Sequence, residues 1–406
     1  MSTGVEHTGL ADTGTSRTGW SPEDFIGLDR QGLEQRPGAK WQKFGPGVLS
    51  MWVADMDFPI APMVSGAIET QLSTGDLGYP WTSLKEEVTT AFAARMSDQY
   101  DWTIDPAEVT VLQDVIQGLQ AVIMTCTEPG DGVTMQTPIY HPFLNSIRDM
   151  GRPLVDNPWI QSEDGWELDL DGLRETLTAS PAKLFILCNP HNPTGRVYTR
   201  AELEGLAEVV LEHDLLVISD EIHAEILHEG THIPFASISQ EVSDRTITLT
   251  AASKAFNLAG LKMAVAHTTC QEIAARLAEL PGHLFGGINT IGMRATLACW
   301  QTGDEWQQAV LKQLTSNRDL MHQLLAEQIP QITFRKPQAT YLGWIDCNGL
   351  DLGGAQPAPF FLDNAGLALN DGNEFGVQGK GCCRMNFATG PEILTEAVER
   401  MAAALR

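Results

Sequence analysis

From about Asp105 onward, continuous apolar runs alternate with amphipathic stretches, and this alternation restricts the fold more than any other feature of the chain. The runs lie at 109–112, 132–136, 183–188, 215–219 and 245–250. Several are apolar at successive positions rather than at every second one, the pattern of strands buried on both faces of a parallel sheet. Between them lie stretches of helical periodicity, such as 201–213 with Thr199 as its N-cap. Alternating strands and helices predict an α/β domain whose mostly parallel central sheet is sandwiched by helices. The pattern breaks into a Gly-rich loop at 281–289. A long amphipathic helix then runs from about Asn289 with an interruption near Gly303, before a mixed region with strand candidates at 331–334, 340–346 and 383–388. The expected division is a disordered leader at 1–20, an N-terminal segment at 21–60 joining a small domain, a large domain at 61–299, and a small α+β domain at 300–406.

At 406 residues the chain is long enough for a large core. Its 52 acidic against 26 basic residues give a net charge of −26, spread along the sequence rather than gathered in a tail. Such a field repels phosphate backbones and anionic lipid, which argues against nucleic-acid or membrane binding as a main role. No apolar run approaches the length needed to span a bilayer, and 1–20 lacks the apolar centre of a secretory signal. A cytoplasmic location is expected. The seven cysteines have no C-x-x-C spacing, and Cys382 and Cys383 are adjacent. Reduced thiols with no disulfide framework and no metal site are the expectation.

Certain motifs follow the apolar runs directly. CNPHNPTGR, 188–196, makes a sharp turn through Pro190, Pro193 and Gly195, with Asn189 and Asn192 able to donate amide hydrogens at the strand end. Taken alone it is an ordinary turn. LLVISDEIH, 215–223, delivers Asp220 to the carboxyl end of a strand, where open α/β sheets bind ligands. A lone Asp there also serves as a helix N-cap, and His223 also reads as a satisfied core histidine. TAASKAFNLAGLK, 250–262, places Lys254 beside Ser253 among small and apolar flanks. A lysine is usually a solvated charge, but partial burial would lower its pKa, as an amine that attacks a carbonyl requires. CCRMNFA, 382–388, sets Arg384 inside an apolar strand, where its fork needs a partner. That partner is a carboxylate ligand or a structural ion pair.

Together and in this order, these motifs resemble the fold-type I pyridoxal-phosphate enzymes of the aminotransferase class I/II superfamily. The resemblance is closer to the MalY/PatB branch of cystathionine β-lyases, or cysteine-S-conjugate C–S β-lyases. It is carried also by KWQKF (40–44), MWVADMDFPI (51–60), GYP (78–80), TPIYHPF (137–143) and TYLGWIDC (340–347), and it covers nearly all of the chain from about Asp24.

The resemblance implies a transferase-like large domain that carries pyridoxal 5'-phosphate as a Schiff base on Lys254, whose freed amine then moves the substrate Cα proton. It implies that Asp220 pairs with the pyridine nitrogen, that Tyr140 stacks on the ring, and that Asn192 and His223 neighbour its phenolic oxygen. The phosphate would lie at a helix start on Val115 and Ile116, with Ser253 and Lys262 nearby. Arg384 would grip the substrate α-carboxylate with Asn192 beside it. Tyr79 would reach the phosphate and substrate of a partner subunit, so a homodimer with interface active sites is expected.

Departures from the pattern are Asp114 where the family has Gly, Lys262 where it has Arg, and Ala251 where a hydroxyl is common. They bear on phosphate affinity. The implied reaction is β-elimination on L-cystathionine or another L-cysteine S-conjugate, giving a thiol, pyruvate and ammonia. Residue types alone do not separate this from transamination on the same fold. A regulatory protein-binding role is the third reading, since one branch member also restrains a transcription factor. The S-substituent stays open, with 21–53 and 281–289 as the expected pocket walls.

Overall fold

The computed structural model describes residues 19–162, 165–284 and 286–406. Apart from its last two residues, the expected leader lies outside them. The apolar runs become strands of one seven-stranded sheet: β1 (Val109–Leu112), β2 (Gly132–Met135), β3 (Leu154–Asp156), β4 (Ala182–Cys188), β5 (Leu216–Asp220), β6 (Thr246–Thr250) and β7 (Ala264–His267). Their order is β1-β7-β6-β5-β4-β2-β3, and β7 alone runs antiparallel to its neighbours.

Why the runs are apolar throughout is visible in β4. Leu184, Ile186 and Cys188 pack into one core cluster, while Phe185 and Leu187 pack into another on the opposite face. Successive side chains point to opposite faces, so a strand covered on both sides must be apolar at consecutive positions.

Helices complete the layers: α1 (Pro62–Ser73), α2 (Thr82–Tyr100), α3 (Val115–Cys126), α4 (Arg200–Glu212), α5 (Thr290–Thr302), α6 (Asp304–Gln328) and α7 (Pro391–Ala404). Helix α4 starts in a capping box, with Thr199 accepting from the Glu202 amide and Glu202 reaching back to the Thr199 amide. The helical run after Asn289 does break at Gly303, between α5 and α6. A Cβ at Gly303 would lie 2.5 Å from the Phe256 ring and from the Cys299 carbonyl oxygen, so no larger residue fits.

A second sheet of four strands has the order β8-β9-β11-β10, from β8 (Thr333–Phe334), β9 (Leu342–Asp346), β10 (Asn370–Asp371) and β11 (Cys382–Asn386). A short parallel pair, Leu49–Ser50 with Leu367–Ala368, ties the N-terminal segment to this region. Gly195 is a further tie. Its φ of +69° lies in the left-handed region, and a Cβ there would meet Pro337 at 2.2 Å. Its carbonyl accepts from the Ala339 amide at 2.8 Å. The turn after β4 is thereby pressed against the C-terminal part.

Candidate active site

Strand β1 and the parallel strands β2, β4, β5 and β6 all release their chains on one side of the sheet, and a cavity of about 810 Å³ opens there. The residues picked from sequence converge on it. Asp220 ends β5, Lys254 and Ser253 follow β6, Asn192 follows β4, Tyr140 follows β2, and Val115 and Ile116 open α3 behind β1. His223, Lys262 and Arg384 complete the set. Tyr79 does not join it. Its side chain is fully exposed on the loop between α1 and α2, beside exposed Leu77 and Trp81.

The open alternatives resolve residue by residue. The Lys254 side chain is half-buried in the cavity wall rather than out on the surface; its amine donates to the Ala54 carbonyl at 3.0 Å, and desolvation lowers its pKa. Asp220 caps no helix, because β5 runs into a turn. There its Oδ1 accepts from the Ile222 amide at 3.0 Å. Burial pushes this carboxyl up to about 7, so it favours a positive partner in the cavity. His223 is not a satisfied core histidine. Its buried Nδ1 has no hydrogen-bond partner, and burial takes it down to about 3.

Among the described residues Arg384 has no ion-pair partner. Its guanidinium donates to Asn192 Oδ1 (2.9 Å), Asn370 Oδ1 (2.6 Å) and the Trp52 carbonyl (3.3 Å), all neutral, while Nε is buried and unpartnered. Burial lowers it to about 10. A buried cation held only by neutral groups is an incomplete carboxylate site.

At the start of α3 the Asp114 side chain turns back on the helix. Oδ1 accepts from the Gln117 amide at 2.8 Å, and Oδ2 pairs with Lys262 at 3.1 Å. The departure at 114 is thus absorbed as an N-cap, and the charge of Lys262 is spent on it. Among the described residues the amides of Val115 and Ile116, in the first turn of α3 at the cavity wall, have no hydrogen-bond partner, and the helix dipole there favours an anion. Free amides, a deep carboxylate, a desolvated amine and the Tyr140 ring are the groups that a flat, phosphorylated aldehyde such as pyridoxal phosphate needs.

Of the expected walls 21–53 and 281–289, Trp52, Val53 and Leu284 line the cavity; sequence reasoning missed that the first continues as a strap through 54–57, and what holds it. Asn386 Nδ2 donates to the carbonyls of Val53 and Asp55, both at 2.7 Å. Tyr341 donates to Ala54 O at 2.9 Å, and Asn257 brackets Met56. Lys40 and Trp41 both bond the buried Asp57 carboxylate at 2.8 Å. A buried Asp flanked by apolar residues in MWVADMDFPI was the available signal.

Burial also sets a pH response. His141, His191, His223 and His228 fall from 6.5 to about 4, 3, 3 and 4. The unfolded chain takes up these protons first, so stability is lost as pH falls below about 6.5. Asp220, raised to about 7, has the opposite sign, but it is one group against four. The thermal midpoint of the cofactor-free protein should therefore fall between pH 6.5 and about 4.5. A midpoint flat across that range in calorimetry would contradict the burial assigned here.

The chain is similar in sequence and overall fold to known proteins. The cystathionine beta-lyase PatB of Bacillus subtilis (strain 168) is 33% identical over 382 residues, covering 92% of this chain and 98% of its own. The PLP-bound C-S lyase from Staphylococcus hominis superposes with a TM-score of 0.86 at 31% identity, over 94% of this chain and 98% of its own. Cystalysin from Treponema denticola, which contains pyridoxal 5'-phosphate, superposes with a TM-score of 0.87 at 28% identity, again over 94% and 98%. The family model for aminotransferase class I and II matches residues 53–401, and the chain belongs to that family.

Proposed function

We propose that this chain is a pyridoxal-phosphate-dependent carbon–sulfur β-lyase acting on L-cystathionine or another L-cysteine S-conjugate. The single observation that carries the reading is the convergence of Lys254, Asp220 and the unpaired Arg384 on one cavity. The names borne by PatB and by the structural relatives support the choice of β-elimination. When bound, pyridoxal phosphate supplies an electron sink for the pair left at the substrate Cα.

The chain's own residues do the rest. Val115 and Ile116 amides, with Ser253 near them, hold the phosphate, while Lys262 stands beside them with its charge already paired to Asp114. Asp220 keeps positive charge at the far end of the ring, Tyr140 covers its face, and Asn192 and His223 border its edge. Arg384 binds the α-carboxylate with Asn192 positioned by it. Lys254 anchors the cofactor and moves the Cα proton. Overall, the Cβ–S bond breaks and one water is consumed, giving thiol, pyruvate and ammonia.

Incubation with a panel of cysteine S-conjugates tests this. Stoichiometric thiol and pyruvate are expected. A keto acid retaining the S-substituent, with no thiol, would replace the reading by transamination. Asp220→Asn should slow turnover about 10²–10³-fold, the scale of a lost electrostatic partner, while the visible absorption persists. Unchanged turnover would remove Asp220 from the mechanism.

The same reading makes the protein a cytoplasmic homodimer. No helix among the described residues is long and apolar enough to cross a membrane, and the seven cysteines are free and buried. Exposed Leu77, Tyr79 and Trp81 form an apolar patch suited to a second copy, with Tyr79 reaching the partner's cavity. Residues 61–299 are taken as the cofactor domain and 300–406, joined by 21–60, as the small domain.

A further inference from the structure

The KWQKF motif has a second half with no role so far. Lys40 and Trp41 lock the strap through Asp57, whereas Lys43 is exposed and Phe44 half-buried. The Lys43 ammonium sits 4.0 Å from the Trp52 ring centroid and 5.1 Å from that of Phe44, whose rings meet edge-on at 5.9 Å. Unlike Lys40, paired with Asp57, Lys43 has no ion-pair partner among the described residues. Its side chain is exposed, so nothing in the core requires a cation there.

Trp52 links that cation to the cavity. It lines the wall, its indole Nε1 donates to the Lys40 carbonyl at 3.2 Å, and its own carbonyl accepts from Arg384. Arg384 thus holds the Trp52 main chain and Lys43 covers the ring of the same residue; Lys43 lies beyond the residues that line the cavity, so a group reaching it extends past Trp52. His141 also lines the cavity, with its buried Nδ1 unpartnered. Its ring packs against Phe375, on which the Arg384 guanidinium stacks at 4.9 Å. Lys43 and Arg384 both reach His141 electrostatically and, after burial, hold it neutral.

We propose that Lys43, Trp52 and His141 form a distal subsite selecting S-conjugates whose sulfur substituent carries a carboxylate. The inference rests on the β-lyase reading and names its substrate class. The chain as a whole carries −26 and repels anions, so acceptance of a second carboxylate must come from local groups. Arg384 takes the first carboxylate. Lys43, fixed by two ring faces and otherwise unneutralised, takes the second, with the Trp52 face along the thioether chain and the His141 imidazole free to hydrogen-bond.

The test compares S-(2-carboxyethyl)-L-cysteine with its neutral isostere S-(2-carbamoylethyl)-L-cysteine on the holoenzyme. Lys43→Met should lower kcat/KM for the carboxylate about three- to fivefold, the scale of a partly solvated ion pair, and leave the amide within about twofold. Lys43→Arg should retain the preference, and added salt should erode it in the parent protein. Equal loss on both substrates, or none on either, would overturn the subsite. Binding of both compounds to cofactor-loaded Lys254→Ala, with and without Lys43→Met, separates the two claims. Charge-selective binding without thiol release by the parent enzyme sinks the lyase reading alone. Cleavage without charge selectivity sinks the subsite alone.

Discussion

Replacing Lys254 with alanine should abolish turnover, by at least about 10³–10⁴-fold on the scale of a lost proton-transfer group, while the fold survives. The reason lies in the amine's surroundings. Its one hydrogen bond goes to the Ala54 carbonyl, which Tyr341 also satisfies, so the strap stays anchored without it. Desolvation already disfavours the charged amine, so its removal relieves that cost. The thermal midpoint of the cofactor-free variant should match or exceed that of the parent. Lys254→Arg, which keeps charge without a transferable amine, should be equally inactive. Activity retained in either variant would require a different proton carrier.

Arg384→Ala should raise KM for the amino acid by about 10²–10³-fold, since truncating one side of a buried, hydrogen-bonded charge pair costs several kcal/mol. Cofactor affinity should hardly change, because the phosphate amides of Val115 and Ile116 lie on a different element, α3. The variant also strands Asn192 Oδ1, Asn370 Oδ1 and the Trp52 carbonyl. Arg384→Lys controls for this: it keeps a cation but loses the bidentate fork, and should show most of the KM effect. Titrating pyridoxal phosphate and substrate separately reads the two affinities. Parallel loss of both would mean that Arg384 holds the cavity together rather than the substrate.

Strands buried on both faces were legible because burial forces consecutive apolar residues, and Asp220, Lys254 and Asn192 follow such strands directly. Strand β7 was not, because its Ala264 and Ala266 give little β signal although both are buried. Expected strand ends differ from the observed ones by a residue or two, as at 215–219 against Leu216–Asp220. The partners of Arg384 come from positions 52, 192 and 370, and local pattern carries no information about contacts so distant in sequence. The turn of Asp114 onto α3 was equally hidden, since it depends on Lys262 arriving from beyond β6. Tyr79 lies away from the cavity of its own chain, so its expected role depends wholly on a second subunit.

Borohydride reduction of the cofactor-loaded protein, followed by peptide mapping, tests the central claim most directly. A reduced pyridoxyl group on the peptide containing Lys254, and its absence from Lys254→Arg, is the predicted result. Label on another lysine, or on none, would contradict the account.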